Sequence, residues 1–377
     1  MGQAQRKDTR HVPDWVTTPL EDAEPSEAWA ALAGAATRPN PLLAPGALLP
    51  FASLGQPGAR LLRIRDEGRL VGLVPLAPAR GYAKLPVRHT QSFVHPHLLD
   101  ATPLVAAGEE AAFARGLFAW LDADEGAGRF LPLSRLSEGA VSDALAAVAA
   151  EEGRGFAVTE RYQRPLLALD PGKSWDDVLA AEIGPKTRKA YRRLGRRLAE
   201  RGEVTLAVAA PGEPARPWLD RFFAAEHASW KGREGSSLAA RPAEAAAFAA
   251  LAEAAHARGG LRIAELQVDG QPIAHAVDLL QHPGGFALKT AFDEAWSAYS
   301  PGFLLEMRLI EDALVRAAGG LAWLDSCAAP GHPTLSRIWP GRQGVLQVLI
   351  ERRGRRNAAA FRGVRALELL SAARRRL

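Results

Sequence analysis

Residues 285–302, GFALKTAFDEAWSAYSPG, read as a strand feeding a helix with small residues at its start, an arrangement that suits an anion. Residues 286–293 read as a strand. Its alternation puts Lys289 and Asp293 on one face with Ala287 and Ala291, and Phe286, Leu288 and Phe292 on the other. The following run, FLLEMRLIEDALVRAAGG, has the helical stripe Phe303, Met307, Ile310 and Leu314. Ser300 suits its N-cap, Pro301 its first position, and Gly319-Gly320 its end. A strand feeding a helix with small residues at its start offers free N–H groups and the positive end of a dipole to one spot. Gly302 leaves room there for a phosphate. The plain alternative is a well-capped helix with no ligand.

Further candidates lie downstream in LAWLDSCAAPGHPTLSRIWPGRQG, residues 321–344. Asp325, Ser326, Cys327, His332, Arg337, Trp339 and Arg342 fall at or beyond the C-terminal end of a strand, where ligands sit in open α/β sheets. Cys327 and His332 suggest a nucleophile and its base, but no third orienting group stands at recognisable spacing. Asp325 reads either as a base or as a structural carboxylate that pairs with a neighbouring segment. In RPWLDRFFAAEHASW, Glu226 shares a stripe with Leu219, Phe222, Phe223 and Trp230. A carboxylate on an apolar face is either paired, most simply with an arginine, or raised in pKa as a general base requires. His227 and His275 read as structural histidines. The dinucleotide glycine pattern, the P-loop lysine motif, HExxH and GxSxG are absent.

These groups need a scaffold, and the chain of 377 residues is long enough for two units. Hydrophobic residues make up 47% and charged residues 24%, which is globular composition. The single cysteine, Cys327, excludes an internal disulfide and a cysteine-cluster zinc site. Two segments, 60–80 and 261–281, each read as strand, acidic–Gly turn and strand, a hairpin signal. Helical sequence precedes each, and a strand, a helix and further strands follow. The order α-α-β-β-β-α-β-β appears twice, which predicts a duplicated α/β unit. Between the halves, residues 186–201 form a basic helix with the stripe Ala190, Leu194 and Leu198. Seven of the 47 basic residues are lysine, and with heavy alanine use this reads as the codon bias of a GC-rich bacterium. The net charge of +5 does not demand a nucleic-acid partner. No targeting or membrane-spanning segment is expected, which predicts a cytoplasmic protein.

The stretch LKTAFDEAWSAYSPG, then a helix, then LDSCAAPGHPTLSRIW, resembles the second-domain core of the CelD-like acetyltransferase domain family. That family is a tandem form of the GNAT acyltransferase superfamily, related to the Fem aminoacyltransferases. Ser297-Ala298-Tyr299-Ser300-Pro301-Gly302 stands in place of the superfamily's usual pyrophosphate loop. The resemblance implies an α/β fold of tandem GNAT-like units, each a mixed, mostly antiparallel sheet flanked by helices. The expected divisions are a disordered segment 1–14, a first unit 15–170, a basic linker 171–203, a second unit 204–351 and a basic tail 352–377.

The implied activity is acyl transfer from acetyl- or acyl-coenzyme A, without a metal, to an amine or hydroxyl of a small acceptor. In such a fold the donor enters a V-shaped gap between the fourth and fifth strands, and the acceptor approaches from the other side. The backbone of Thr290, Ala291 and Phe292 is expected to hold the pantetheine arm and thioester carbonyl. Ser300, Pro301 and Gly302 are expected to hold the pyrophosphate. Glu226, Asp293 or Asp325 is the expected base, and Tyr299 the acid toward the leaving thiolate. Lys289, His332, Arg337 and Trp339 are expected to border the acceptor. Asp293 and Asp325 would favour an amine-bearing acceptor. The alternatives are Fem-like transfer from aminoacyl-tRNA, with the basic helix tracking RNA phosphates, and a non-catalytic binding protein. The chain is expected to be a monomer or a homodimer.

Overall fold

The computed structural model describes residues 11–82, 85–123 and 128–375. The first unit runs β1 (Asp14–Pro19), α1 (Glu27–Gly34), α2 (Pro45–Leu48), β2 (Arg60–Asp66), β3 (Arg69–Ala79), β4 (His89–Ser92), β5 (Leu104–Val105), α3 (Glu110–Ala123), β6 (Phe130–Ser137), α4 (Ala140–Glu151) and β7 (Phe156–Ala168). Two helices connect it onward, α5 (Trp175–Ala181) and α6 (Pro185–Ala199). The second unit runs β8 (Val204–Val208), α7 (Arg216–Ala228), α8 (Trp230–Arg233), α9 (Pro242–His256), β9 (Leu261–Val268), β10 (Gln271–Gln281), β11 (Gly284–Phe292), α10 (Pro301–Ala317), β12 (Trp323–Asp325), α11 (Leu335–Ile338) and β13 (Gly341–Glu351). Helix α12 (Arg355–Arg375) follows. Of the segment expected to be unstructured, residues 1–10 lie outside the described residues, and Asp14 already pairs with Arg65 in β1.

The same order of elements recurs in both units, hairpin for hairpin. Glu67-Gly68 joins β2 to β3, and Asp269-Gly270 joins β9 to β10. All four residues have positive φ, between 48° and 79°. A two-residue turn with both φ values positive matches the twist of the paired strands, and glycine at its second position adopts it without a Cβ clash.

The units are joined by shared hydrogen bonding. One sheet has the order β1-β2-β3-β4, with β5 on β3. The other has the order β6-β13-β7-β12-β11-β10-β9-β8. Strand β13, from the end of the second unit, enters between β6 and β7 of the first and is antiparallel to both. Strand β7 in turn pairs with β12 of the second. The expected divisions at 15–170 and 204–351 therefore cross a continuous sheet. β13 is buried along most of its length, as its apolar run GVLQVLI requires of an interior strand.

A buried ion cluster sits at this junction. Arg164 of β7 meets Asp325 of β12, with Nε 2.6 Å from Oδ1 and Nη2 2.9 Å from Oδ2. Arg38, after α1, donates from Nη2 to Asp325 Oδ2 at 3.0 Å and from Nε to Asp100 Oδ2 at 3.3 Å. Asp100 also accepts from Ser137 Oγ and the Thr102 N–H. Both carboxylates are fully buried. Burial acts to raise the Asp100 carboxyl, but Arg38, Arg164 and these hydrogen bonds hold it below the usual range.

Helices cover both faces of the second unit's strands. Leu219 and Phe222 of α7 and Phe248 of α9 pack with Val277, Leu279 and Ala291. Leu194 and Leu198 of α6 and Leu304, Leu305 and Leu309 of α10 pack with Ala274 and Ala276 on the opposite face. Trp230, expected on the α7 stripe, instead opens α8 and is exposed. Among the described residues no helix is long and apolar enough to cross a membrane.

Removing one member of a buried ion pair leaves the other charge uncompensated. Asp325→Ala should therefore lower stability by about 3–5 kcal/mol, measured by urea unfolding. A variant as stable as the parent would mean that the cluster does not hold the units together.

Candidate functional site

Strands β11 and β12 run parallel but pair only between Gly284–Phe286 and Trp323–Asp325. Beyond Phe286, β11 continues to Phe292 with β10 along one edge and, among the described residues, no strand along the other. The chain after Asp325 turns away at Cys327, whose φ is +50°. The strands splay, and a cavity of about 810 Å³ opens through the gap. Its walls come from both faces of the sheet. Gly302 and Glu306 of α10 and Leu194 of α6 line one side, and Lys231, Ser236, Arg241 and Glu244 line the other. Thr290, Phe292, Ser300 and Pro301 also line it, whereas Ala291 packs into the core beside α7.

The start of α10 is open, but not by the expected cap. Ser300 has φ +52°, and its side chain makes no capping bond. A 3-10 turn, Glu294–Tyr299, runs directly into the helix, so Ser300 closes that turn through its N–H to the Ser297 carbonyl. Left-handed backbone is the result of ending one turn and starting the next on a single residue. The first-turn N–H groups of α10 thus face the cavity without a side-chain acceptor from the N-cap. A Cβ at Gly302 would meet only the Phe292 ring, at 3.5 Å.

Lys289 and Glu226 meet. Glu226 is fully buried, and its Oε1 accepts from Lys289 Nζ at 2.9 Å and Lys231 Nζ at 3.2 Å. Its Oε2 accepts the Leu238 N–H at 2.8 Å. Burial acts to raise its pKa, but Lys289, the Leu238 N–H and Lys231 outweigh it, and the carboxyl stays below its usual range. The pairing alternative holds, with lysines in place of an arginine. Lys231 also donates to the Thr290 carbonyl at 3.1 Å.

Several expected site residues do other work. Asp293 is exposed and caps the 3-10 turn by accepting the Ala295 N–H, outside the cavity lining. Tyr299 lies under the Arg197 guanidinium and beside Trp296, so its hydroxyl does not line the cavity. Asp325 is bound by Arg38 and Arg164 and takes the structural alternative. Trp339 is a buried core residue, because α11 turns its indole inward against Leu324 and Ile338. His332 and Arg337 do line the cavity. His332 Nδ1 accepts the Leu335 N–H, and Arg337 reaches Thr187. Cys327 lines it too, but burial and then Asp325 push its thiol well up, which disfavours a thiolate beside His332. Among the described residues no group of His, Cys, Asp and Glu is placed to hold a metal ion.

Two features of the site escape sequence reading. Glu306 lies one turn beyond Gly302 on α10, buried, at the cavity wall. Burial foremost, then repulsion from Asp278, raises its carboxyl to about 8, against a pull down from Arg262. An acid among Leu305, Met307 and Leu309 is the same signal that marked Glu226. The other feature is the first unit's segment 96–99, with Pro96, His97 and Leu99 on the cavity wall. No local pattern marks it, because its neighbour there comes from another unit.

Residues 185–330 match a family model described as Acetyltransferase (GNAT) domain. This stretch, somewhat under half of the chain, is similar to a GNAT acetyltransferase domain. Most of the cavity's lining lies within the matched residues, with Pro96, His97 and Leu99 added by the first unit and 332–337 following the match. Among solved structures, the chain is similar to FemX at 12% identity and a TM-score of 0.60, covering 89% of this chain and 97% of that one. It is similar to L-PGS from Bacillus licheniformis at 13% identity and a TM-score of 0.53, covering 90% and 95%. A conserved protein of unknown function from Bacteroides thetaiotaomicron gives 15% identity and a TM-score of 0.55, covering 86% and 96%. At these identities the likeness is one of fold, and it extends over both units. No curated protein matches in sequence.

A carboxyl raised in the folded state binds a proton that the unfolded chain releases above its ordinary pKa near 4.3. Glu306 therefore costs stability progressively as pH rises from about 4 to about 8. Glu306→Gln should leave thermal stability nearly unchanged at pH 4 and raise it at pH 9. An equal shift at both pH values would mean that the carboxyl is ionised like an exposed one.

Proposed function

We propose that this protein is an acyltransferase that moves an acyl group from a coenzyme A thioester to an amine or hydroxyl of a small acceptor. The observation that carries the reading is the cavity through the β11–β12 splay, in the stretch similar to a GNAT domain, with the open start of α10 on one side. The thioester would lie in the gap along Thr290 and Phe292, with the pyrophosphate at Ser300 to Gly302. Such a site works mainly by placing donor and nucleophile together.

The acceptor reading shifts with the charges. Asp325 is neutralised and Asp293 faces away, so the expected pair of carboxylates does not form. Lys231 and Lys289 share the single carboxylate of Glu226 on the acceptor side. This suits an acceptor that carries an anionic group beside its nucleophile.

A Fem-like donor, aminoacyl-tRNA, is the second reading. It is favoured by the likeness to FemX and by the arginines along α6. Thermal shift with acetyl-coenzyme A and with bulk tRNA separates the two, since a ligand stabilises the state it binds.

Gly302→Asp tests the donor site. The added side chain has space beside Phe292, and an acid is tolerated in a first helical turn, so the fold should survive. Its charge would occupy the pyrophosphate position. Affinity for coenzyme A by calorimetry should fall at least about tenfold, or about 1.4 kcal/mol. Unchanged affinity would remove the pyrophosphate from this helix.

A further inference from the structure

The wall of the cavity opposite α10 is completed by the first unit, between β4 and β5. His97 lies there, largely buried. Its ring sits against Phe51 of the first unit, 5.4 Å between centroids, and Phe248 of α9, 5.7 Å. Its Nε2 is 3.2 Å from Glu244 Oε2, at the start of α9. The other oxygen of Glu244 accepts from Arg241 at 3.2 Å. A carboxylate can only accept, so facing Glu244 the proton of a neutral His97 belongs on Nε2. Nδ1 is left with its lone pair, and among the described residues it has no protein partner.

The surroundings keep the ring neutral. Burial lowers its pKa first, and Lys289 of β11 adds to that. Glu244 of α9 and Glu226 of α7 act the other way without reversing it. His95, on the same segment, stacks on Phe51, and burial lowers its own pKa to about 3, so it adds no charge at neutral pH. A neutral imidazole on a cavity wall, with one nitrogen fixed by a carboxylate and the other without a protein partner, has the form of a general base.

We propose that His97, supplied by the first unit, is the general base of the second unit's acyl-transfer site, with Glu244 as its positioning residue. This rests on the acyltransferase reading above. The acceptor nitrogen or oxygen forms a bond to the thioester carbonyl carbon, and its proton passes to His97 Nδ1. The carbon–sulfur bond breaks, the thiolate leaves, and the proton on His97 passes to it or to solvent. The acceptor side of the site is incomplete without the first unit.

The test measures thiol release from acetyl-coenzyme A, with water and a panel of small amines and amino acids as nucleophiles. His97→Gln should lower kcat by about 100-fold or more and leave KM for acetyl-coenzyme A unchanged. Wild-type kcat/KM should fall tenfold per pH unit as pH drops below the ring's pKa, itself below the ordinary 6.5. The variant should lack that limb, and added imidazole should restore part of the rate to His97→Ala. Glu244→Gln should move the limb to lower pH, because Glu244 raises the ring's pKa. Full activity in His97→Gln, or an unchanged acidic limb, overturns the proposal. If the wild type does not bind acetyl-coenzyme A by calorimetry, the donor reading fails, and nitrogen NMR of histidine-labelled protein decides on His97. A ring protonated on Nε2 and titrating below 6.5 upholds the base. A ring protonated on Nδ1, or titrating above 7, overturns it.

Discussion

The buried contact of Arg164 with Asp325 governs the arrangement of everything around it. It joins a strand of the first unit to the last residue of β12, where the parallel pairing with β11 stops. Two charges taken out of water are stable only when each finds its partner in good geometry. Arg38 and Asp100 complete that requirement, and both belong to the first unit. The place where the sheet splays is thus set by a cluster spanning both halves. Arg38 also lies over the Trp323 ring, 4.6 Å from its centroid, which packs the start of β12 against the same point.

From this junction follows the shape of the cavity. If β12 ran on beside β11, the gap would close with ladder hydrogen bonds. Instead β7 and β13 take the sheet onward, and among the described residues the edge of β11 beyond Phe286 is left without a partner strand. The exchange of β7 and β13 also explains why the first unit's segment 96–99 reaches the second unit's site. Asp100, at the end of that segment, is anchored in the cluster, and the Leu99 carbonyl accepts from Arg164.

The two faces of the cavity differ in charge. Toward α7 and α9, Lys231, Lys289 and Arg241 meet Glu226 and Glu244, with neutral His97 between them. Toward α10, the helix start offers N–H groups, and deeper in lies Glu306, kept protonated near neutral pH by burial. A donor bound by its phosphates on one face and an acceptor bound by charge on the other would meet at the gap.

The local pattern determines much of this protein. The doubled hairpins rest on turn chemistry that any chain with Glu-Gly or Asp-Gly between apolar runs would adopt. Helix α10 and strand β11 follow from apolar periodicity, and Gly302 from its place at the helix start. The two segments singled out by residue type, 285–302 and 321–344, supply much of the cavity's lining. The roles of single carboxylates were not legible in the same way. Asp325 looks like Glu226 and Asp293 in sequence, yet one is locked in a cluster, one holds two lysines and one caps a turn. What decides among them is the partner each meets, and those partners lie 287, 63 and 2 residues away. The strand order was hidden for the same reason, since β13 pairs with β6 across two hundred residues of chain. Periodicity records which face of an element is buried, but not against what. Only tertiary structure supplies that partner, and for a buried charge the partner determines the function.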